Sequence, residues 1–180
     1  MSPARRFWPL AAGLCALLAS GQALAWRLTE RSIATLSLGT IVADSSVSTF
    51  NVDASSGSVT RIGGTAIRLT PGSVTTPTVT ISCASGGAGG NCDHIYTVQI
   101  LAGSTVSGRP TTITSFNVPN LSGAGVTFSP ATPAAGAPLT FSIISSSSSF
   151  TVTFKLGITA SFNSSGTTGN TDWTYTVLVS

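Results

Sequence analysis

The sequence predicts an all-β protein, built as an antiparallel sandwich or barrel, and three observations support this prediction. Apolar and polar residues alternate along many short segments, most clearly in 150–158, where the even-numbered residues share one apolar face. Thr and Val are abundant and suit a pleated surface, whereas the helix formers Glu and Lys each occur once. Turn dipeptides punctuate the alternating segments at Gly63-Gly64, Pro71-Gly72 and Pro119-Asn120.

Ten segments have this strand character. In chain order they are Ile33–Val42, Val47–Val52, Ser58–Ile62, Thr65–Leu69, Thr78–Cys83, Tyr96–Ile100, Thr112–Val118, Pro138–Ile144, Phe150–Ile158 and Trp173–Val179. The segment Ser129–Pro138 contains too many prolines for a central strand and is predicted to be a loop. The serine runs Ser45–Ser48 and Ser145–Ser149 are short enough for connections between strands, so the sequence indicates a single domain.

The N-terminus has the three parts of a secretory signal peptide. Arg5 and Arg6 form a basic region, Phe7–Leu18 is an apolar stretch, and Ala23-Leu-Ala25 is a cleavage signal. We therefore predict a signal peptide over 1–25, cleavage between Ala25 and Trp26, and a mature domain over 26–180. The apolar stretch is shorter than the roughly 20 residues of a membrane span, and no later stretch is longer. A lipid anchor at Cys15 is disfavoured, because Leu14 precedes it where a small residue is required.

Charged residues are scarce, and their scarcity limits the classes of function that the chain can have. Only 7% of residues are charged, against about 25% in an ordinary soluble domain. The predicted mature chain keeps six basic and five acidic residues, a net charge of +1. The basic residues are scattered, without the clustered patch that nucleic-acid binding requires. Acid–base catalysis has few side chains to draw on, so the sequence predicts a protein that is not an enzyme.

Cys83 and Cys92 are the even pair left after the signal peptide, and they flank a Gly-rich loop. In an oxidising compartment such a pair favours a disulfide. The alternative is a metal site that includes Asp93 and His94. Adjacent residues of a strand point to opposite faces, and the chain has no second His, so we favour the disulfide and predict no metal and no cofactor.

Catalytic alternatives remain open but weak. A serine hydrolase would have to use His94 as its base, and the chain has no Gly-x-Ser-x-Gly motif. An exported hydrolase of any kind would need at least two residues of one small set to converge in a cleft: His94, Asp44, Asp53, Asp93 and Asp172. Asp44 and Asp53 flank polar turns, where Asp commonly bonds to the nearby backbone.

Aromatic residues offer a binding alternative. Trp26, Trp173 and Tyr175 could form a platform on which a sugar stacks, as part of a module that binds polysaccharide or another surface ligand. However, Trp173 and Tyr175 share a strand face with Val177 and Val179. We therefore expect both rings to fill the core.

Two short motifs carry a resemblance to a known family. Leu36-Ser-Leu-Gly-Thr-Ile-Val42 resembles the Leu-x-Phe-Gly-Thr-Ile-Val opening of a bacterial secreted family, domain of unknown function 4402. That family ends in a glycine-containing turn and an alternating Thr/Val strand, to which 169–180 is similar. The spore coat protein U-like pilins of chaperone–usher systems share this plan.

The resemblance implies an immunoglobulin-like β-sandwich at the cell surface, in the periplasm or outside a bacterial cell. It implies a structural or adhesive role, as in fimbriae, with other surface-assembly subunits, copies of itself and a periplasmic chaperone as partners. The mechanism would be strand addition, in which a neighbour's segment completes a sheet edge. Trp26–Ser37 is the candidate donor segment, with Leu28, Ala34 and Leu36 on alternate positions; the other interpretation is that it is the domain's own first strand.

Overall fold

A computed structural model describes residues 29–30, 36–42, 46–84, 91–107, 111–163 and 169–180. These residues form fourteen strands: β1 Thr29–Glu30, β2 Leu36–Val42, β3 Ser48–Val52, β4 Val59–Gly63, β5 Ile67–Arg68, β6 Thr78–Cys83, β7 Ile95–Ser107, β8 Thr111–Asn117, β9 Ser122–Gly123, β10 Val126–Ser129, β11 Leu139–Ser145, β12 Phe150–Lys155, β13 Gly157–Phe162 and β14 Gly169–Val179. No helix within these ranges has the length and apolar character that crossing a bilayer requires.

One layer of the fold is a six-stranded antiparallel sheet, in the order β10-β11-β7-β14-β2-β5. The last strand of the chain, β14, lies inside this sheet between β7 and β2. Its residues pair with both neighbours, for example Val177 with Ile100 and Trp173 with Leu36. The C-terminal strand is therefore used within its own chain.

The other layer is divided into two four-stranded sheets. The β12 sheet has the order β1-β6-β12-β9, and the β13 sheet has the order β4-β3-β13-β8. The strands β12 and β13 are consecutive in the chain and are separated by Leu156, whose N–H donates to Pro77 O at 3.0 Å. The layer therefore changes its hydrogen-bonding partners at Leu156.

The predicted strand Phe150–Ile158 is thus correct in its faces and wrong in its continuity. Its five even-numbered residues are all buried, as the alternation predicts. A Cβ on Gly157 would clash with Asn117 Oδ1 and come within 2.7 Å of Val52 O. The absence of a side chain at Gly157 therefore allows the β3 and β8 ends to close around the start of β13, and the pairing switches there.

The two layers meet in one aromatic-rich core. Ring contacts join the six-stranded sheet to the β12 sheet, at 5.7 Å for Phe141–Phe154 and 5.3 Å for Tyr96–Phe150. Phe162 of the β13 sheet lies 5.8 Å from Trp173 of the six-stranded sheet. Each such side chain stabilises the fold by about 1.5–3 kcal/mol when it is removed from water. The predicted antiparallel β-sandwich is confirmed.

The strand β2 departs from simple alternation. Leu38 and Ile41 are both fully buried although they are three residues apart. Gly39, with a φ of 74°, lies between them, and the pairing with β14 shifts register between Asn170 and Asp172. A bulge of this kind turns the following residue to the other face, which returns Ile41 to the core.

Candidate functional site

The predicted disulfide joins Cys83, at the end of β6, to Cys92, three residues before β7. Both residues are buried, and the Tyr96 hydroxyl lies 3.6 Å from Cys83 Sγ and donates to Cys92 O at 3.4 Å. Burial raises the pKa of the Tyr96 phenol, which favours this neutral donor. A cross-link over a separation of nine residues stabilises a fold by roughly 2–3 kcal/mol on chain-entropy grounds.

The structure excludes the metal alternative at this position, because the two sulfurs are bonded to each other. His94 lies immediately before β7, and its backbone N–H donates to Cys92 O at 3.0 Å. Within the described ranges no three His, Cys, Asp or Glu side chains are grouped closely enough to hold a metal ion.

Asp172 lies far from the neighbouring residues Asp93 and His94. Asp93 and His94 precede β7, whereas Asp172 pairs with Ser107 at the far end of that 13-residue strand. At about 3.3 Å per residue the two ends lie roughly 40 Å apart. Asp53 lies in the β3–β4 turn, where Oδ1 accepts the N–H groups of Ser55 at 3.0 Å and Ser56 at 2.7 Å. The predicted turn role of Asp53 is confirmed.

The aromatic side chains expected in the core are found there. Trp173 and Tyr175 are each 1% exposed. These two rings therefore do not form a stacking platform for a sugar.

Several predictions concern residues outside the described ranges: the signal peptide 1–25, its cleavage between Ala25 and Trp26, and Asp44. The proposed donor segment Trp26–Ser37 is described at four residues. Thr29 and Glu30 pair with β6, and Leu36 and Ser37 belong to β2. These four residues are used within their own chain.

The most distinctive surface is the side of the sandwich formed by β4 and β5, which we call the open edge. The strand β4 ends the β13 sheet, β5 ends the six-stranded sheet, and each has one paired neighbour among the described strands. Four large apolar side chains on this side are more than half exposed: Val47 at 56%, Ile62 at 61%, Ile67 at 59% and Leu69 at 58%. Edge strands with such side chains favour pairing with another chain.

Backbone groups on the open edge point away from their own sheets. Asp53 N–H donates to Ser58 O, so on antiparallel alternation the N–H and C=O groups of Val59 and Arg61 face outward. Leu69 N–H donates to Thr40 O at 2.9 Å, so the groups of Arg68 face outward as well. The open edge therefore offers donors and acceptors to an added strand.

The two arginines of the open edge bond to the protein's own backbone. Arg61 Nη1 donates to Thr65 O at 3.1 Å and to Ala66 O at 2.9 Å. Arg68 donates from Nε to Leu38 O at 2.7 Å and from Nη1 to Gly72 O at 2.8 Å, and its Nη2 is buried without a partner. Burial lowers the pKa of Arg68. Charged side chains that project past an edge discourage strand pairing, and these two are held back.

The side chain of Ser48 stabilises the turn that connects the edge strands β4 and β5. It is 1% exposed, and its hydroxyl oxygen accepts the N–H groups of Thr65 at 3.1 Å and Ala66 at 3.0 Å. The sequence placed Ser48 both in a serine run, which is typical of connections, and in the predicted strand Val47–Val52, and neither pattern predicted a buried hydroxyl. Only its position opposite the 63–66 turn gives it this buried role.

A second feature is a cleft of about 320 Å³ where the β12 and β13 sheets separate, which we call the junction cleft. Its lining includes Ser55, Thr78, Pro119, Asn120, Thr153 and Lys155. Lys155 is the only lysine of the chain, and its ammonium donates to Ser55 O at 3.3 Å. Asn120 donates from its amide to Ser55 Oγ at 3.4 Å. No local sequence pattern indicates this site, because Ser55 and Lys155 are 100 residues apart.

Comparison with known proteins adds no relative: no family model, no curated protein and no solved structure matches this chain.

Proposed function

We propose that this chain is an exported, non-catalytic structural or adhesive protein of the bacterial cell surface, which associates through its open edge. The partner is a second copy of the chain or another surface-assembly subunit, and a periplasmic chaperone would protect the edge before assembly. The resemblance to the secreted family named above stays a prediction.

The open edge is the observation that carries this proposal. It combines outward backbone groups, four exposed apolar side chains and arginines bonded to their own backbone. Main-chain hydrogen bonds would supply affinity to an added strand, and the exposed apolar side chains would add contact area.

The distribution of ionisable groups supports a non-catalytic role. General acid–base catalysis needs a base within hydrogen-bond reach of the proton it removes. His94 and Asp172 lie at opposite ends of β7, and Asp53 Oδ1 is occupied by turn N–H groups. The buried disulfide fits a protein that folds in an oxidising compartment.

Sedimentation of the purified protein across concentration tests the proposal. We expect association to increase with concentration, and we expect Ile67→Lys on β5 to shift it to about tenfold higher concentration, because a projecting cation blocks edge pairing. The matched control is Thr127→Lys, which adds the same charge at an exposed position of β10, the other edge of the same sheet.

The control should associate like the unmodified protein. A protein that stays monomeric at every concentration, and that also ignores a peptide copy of Trp26–Leu38, would contradict the assembly mechanism. Equal loss of association in Ile67→Lys and Thr127→Lys would contradict the assignment to the open edge.

A further inference from the structure

We propose that the junction cleft is a binding site for an acidic polysaccharide, with the Lys155 ammonium pairing with the carboxylate of a uronic acid unit. The inference does not rest on the open edge. The open edge would join protein subunits, whereas the junction cleft would hold a glycan on the surface of one subunit.

The cleft is a consequence of the divided layer. At Leu156 the chain leaves the β12 sheet and enters the β13 sheet, so the strands on either side of this point diverge. The gap is bordered by the β3–β4 turn, by the start of β6 and by the loop between β8 and β9. Ligand sites are commonly concave, mostly apolar, and about 300–1,000 Å³ in volume, and this cleft lies at the small end of that range.

The Lys155 ammonium can donate more hydrogen bonds than it makes among the described residues. An ammonium carries three donors, and among the described residues Ser55 O is its hydrogen-bond partner. No described carboxylate forms an ion pair with it. Asp53 is two residues before Ser55 in the chain. Its Oδ1 already accepts three hydrogen bonds, from the N–H groups of Ser55 and Ser56 and from the Ser56 hydroxyl. The described residues that line the cleft include no Asp or Glu, so the cleft presents one cation without an acidic partner.

The rest of the lining selects the ligand class. Thr78 and Thr153 are exposed hydroxyl residues, and the Asn120 amide adds a second donor group and an acceptor. Hydroxyl and amide groups beside a single cation, together with the apolar surface contributed by Pro119 and Phe154, match the hydroxyls, the carboxylate and the apolar ring face of a uronic acid unit. A peptide that binds as an added strand would instead need a free strand edge.

The free edge of β12 beside the cleft is short. The strand β12 pairs with β6 along its whole length and with β9 at Val152 and Thr153, and Thr153 O also accepts the Ser122 hydroxyl at 3.3 Å. Only Phe154 and Lys155 extend beyond β9 at the cleft, which is too short a stretch of β12 for an extended peptide to add as a strand. This observation favours a saccharide over a carboxylate-bearing peptide.

Calorimetric titration of the purified protein with an oligogalacturonate tests the inference. Two further ligands of equal length provide the comparison: a neutral galacto-oligosaccharide and an oligoglutamate. We expect the oligogalacturonate alone to bind, and we expect Lys155→Gln to weaken binding by about tenfold or more, because a charge-assisted contact is lost. Lys155→Arg should retain most of the affinity, and Asn120→Ala should lower it by roughly threefold, since one neutral hydrogen bond is removed.

Arg61→Gln is the matched control, since it removes an equal charge from an exposed residue outside the cleft. Binding that is the same for Lys155→Gln as for the unmodified protein, or that falls equally in Arg61→Gln, would overturn the site. Equal binding of oligoglutamate would overturn the saccharide assignment, and absence of oligogalacturonate binding would overturn the proposal as a whole. Thermal unfolding of each variant confirms that a lost affinity does not reflect a lost fold.

Discussion

On each lateral side of the sandwich the chain crosses from one layer to the other, but the edge strands of the two sides are protected differently. On one side the chain passes from β4 to β5, and on the other from β9 to β10. Phe128 of β10 packs on the core, 6.4 Å from Phe141, and Phe116 of β8 forms a two-way backbone bridge with Gly136. The strands β4 and β5 instead direct Ile62 and Ile67 toward solvent.

The difference shows how a chain with few charges protects some edges and leaves others available. An apolar side chain turned into the core anchors β10, and a proline-containing loop covers part of β8. On the open edge the large apolar residues face outward, and the cationic groups that would discourage pairing are bonded to carbonyls. Low charge content alone does not make an edge adhesive, because the direction of each side chain decides it.

The largest expected effect is a loss of stability at Phe162, a core ring, which should exceed the loss at Phe128, the ring that anchors the edge strand β10. Phe162 is 1% exposed and touches both Phe50, at 5.5 Å, and Trp173. Phe162→Ala should lower the free energy of unfolding by about 3–5 kcal/mol, whereas Phe128→Ala, at a partly buried ring, should cost about 1–3 kcal/mol. Urea unfolding measures both. An equal cost would mean that β10 belongs to the core as fully as β13, which would break the comparison.

The crossover on the open side should depend strongly on one hydroxyl. Ser48→Ala leaves the N–H groups of Thr65 and Ala66 without their acceptor, at an expected cost of about 1–3 kcal/mol. Ser122→Ala, on the other side, removes one exposed bond to Thr153 O and should cost under about 0.5 kcal/mol. Thermal or urea unfolding of the pair checks this, and similar costs would show that Ser48 does not hold the crossover.

The two arginines of the open edge should also differ in how much their loss destabilises the protein. The difference between them should be smaller than that between Ser48 and Ser122. Arg68 is partly buried and joins β5 to Leu38 and Gly72, so Arg68→Ala should cost about 1–2 kcal/mol, the bonds lost being partly offset by relief of the unpartnered Nη2. Arg61 is exposed, and Arg61→Ala should cost less than about 1 kcal/mol. Hydrogen exchange at Leu69 should accelerate in the first variant only. Acceleration in both would place the two residues in one shared network.

The smallest effect is a pH dependence at the β3–β4 turn. Hydrogen bonds from Ser56, first from its N–H and then from its hydroxyl, lower the pKa of Asp53 below the ordinary value of 3.8. A lowered carboxyl pKa stabilises the folded state above pH 3.8, and this contribution is lost as the pH falls through the lower folded value. Asp53→Asn should therefore reduce stability near neutral pH, and the difference should shrink in acid. A difference independent of pH would contradict the role of the charge.

Much of the local structure could be predicted from residue patterns. Alternation identified the buried faces of β6, β12 and β14, including the core positions of Trp173 and Tyr175. Two cysteines around a short glycine-rich loop were sufficient to predict their disulfide. The short strands β9 and β10 are not among the ten predicted segments.

The candidate sites depended on pairings between distant parts of the chain. No local pattern near Lys155 indicates that strand pairing divides at Leu156, or that Ser55 lies beside it. A period of two would also put Leu38 and Ile41 on opposite faces, whereas the bulge at Gly39 lets both be buried.

By itself, the sequence determined which residues are turned inward along most strands, since side-chain direction in a strand follows a period of two. It also determined the low charge, which disfavours acid–base chemistry. The tertiary structure alone decided which strands are edges, which arginines bond inward and where the cleft opens. Those properties follow from hydrogen-bond partners chosen over long sequence separations, which no local period encodes.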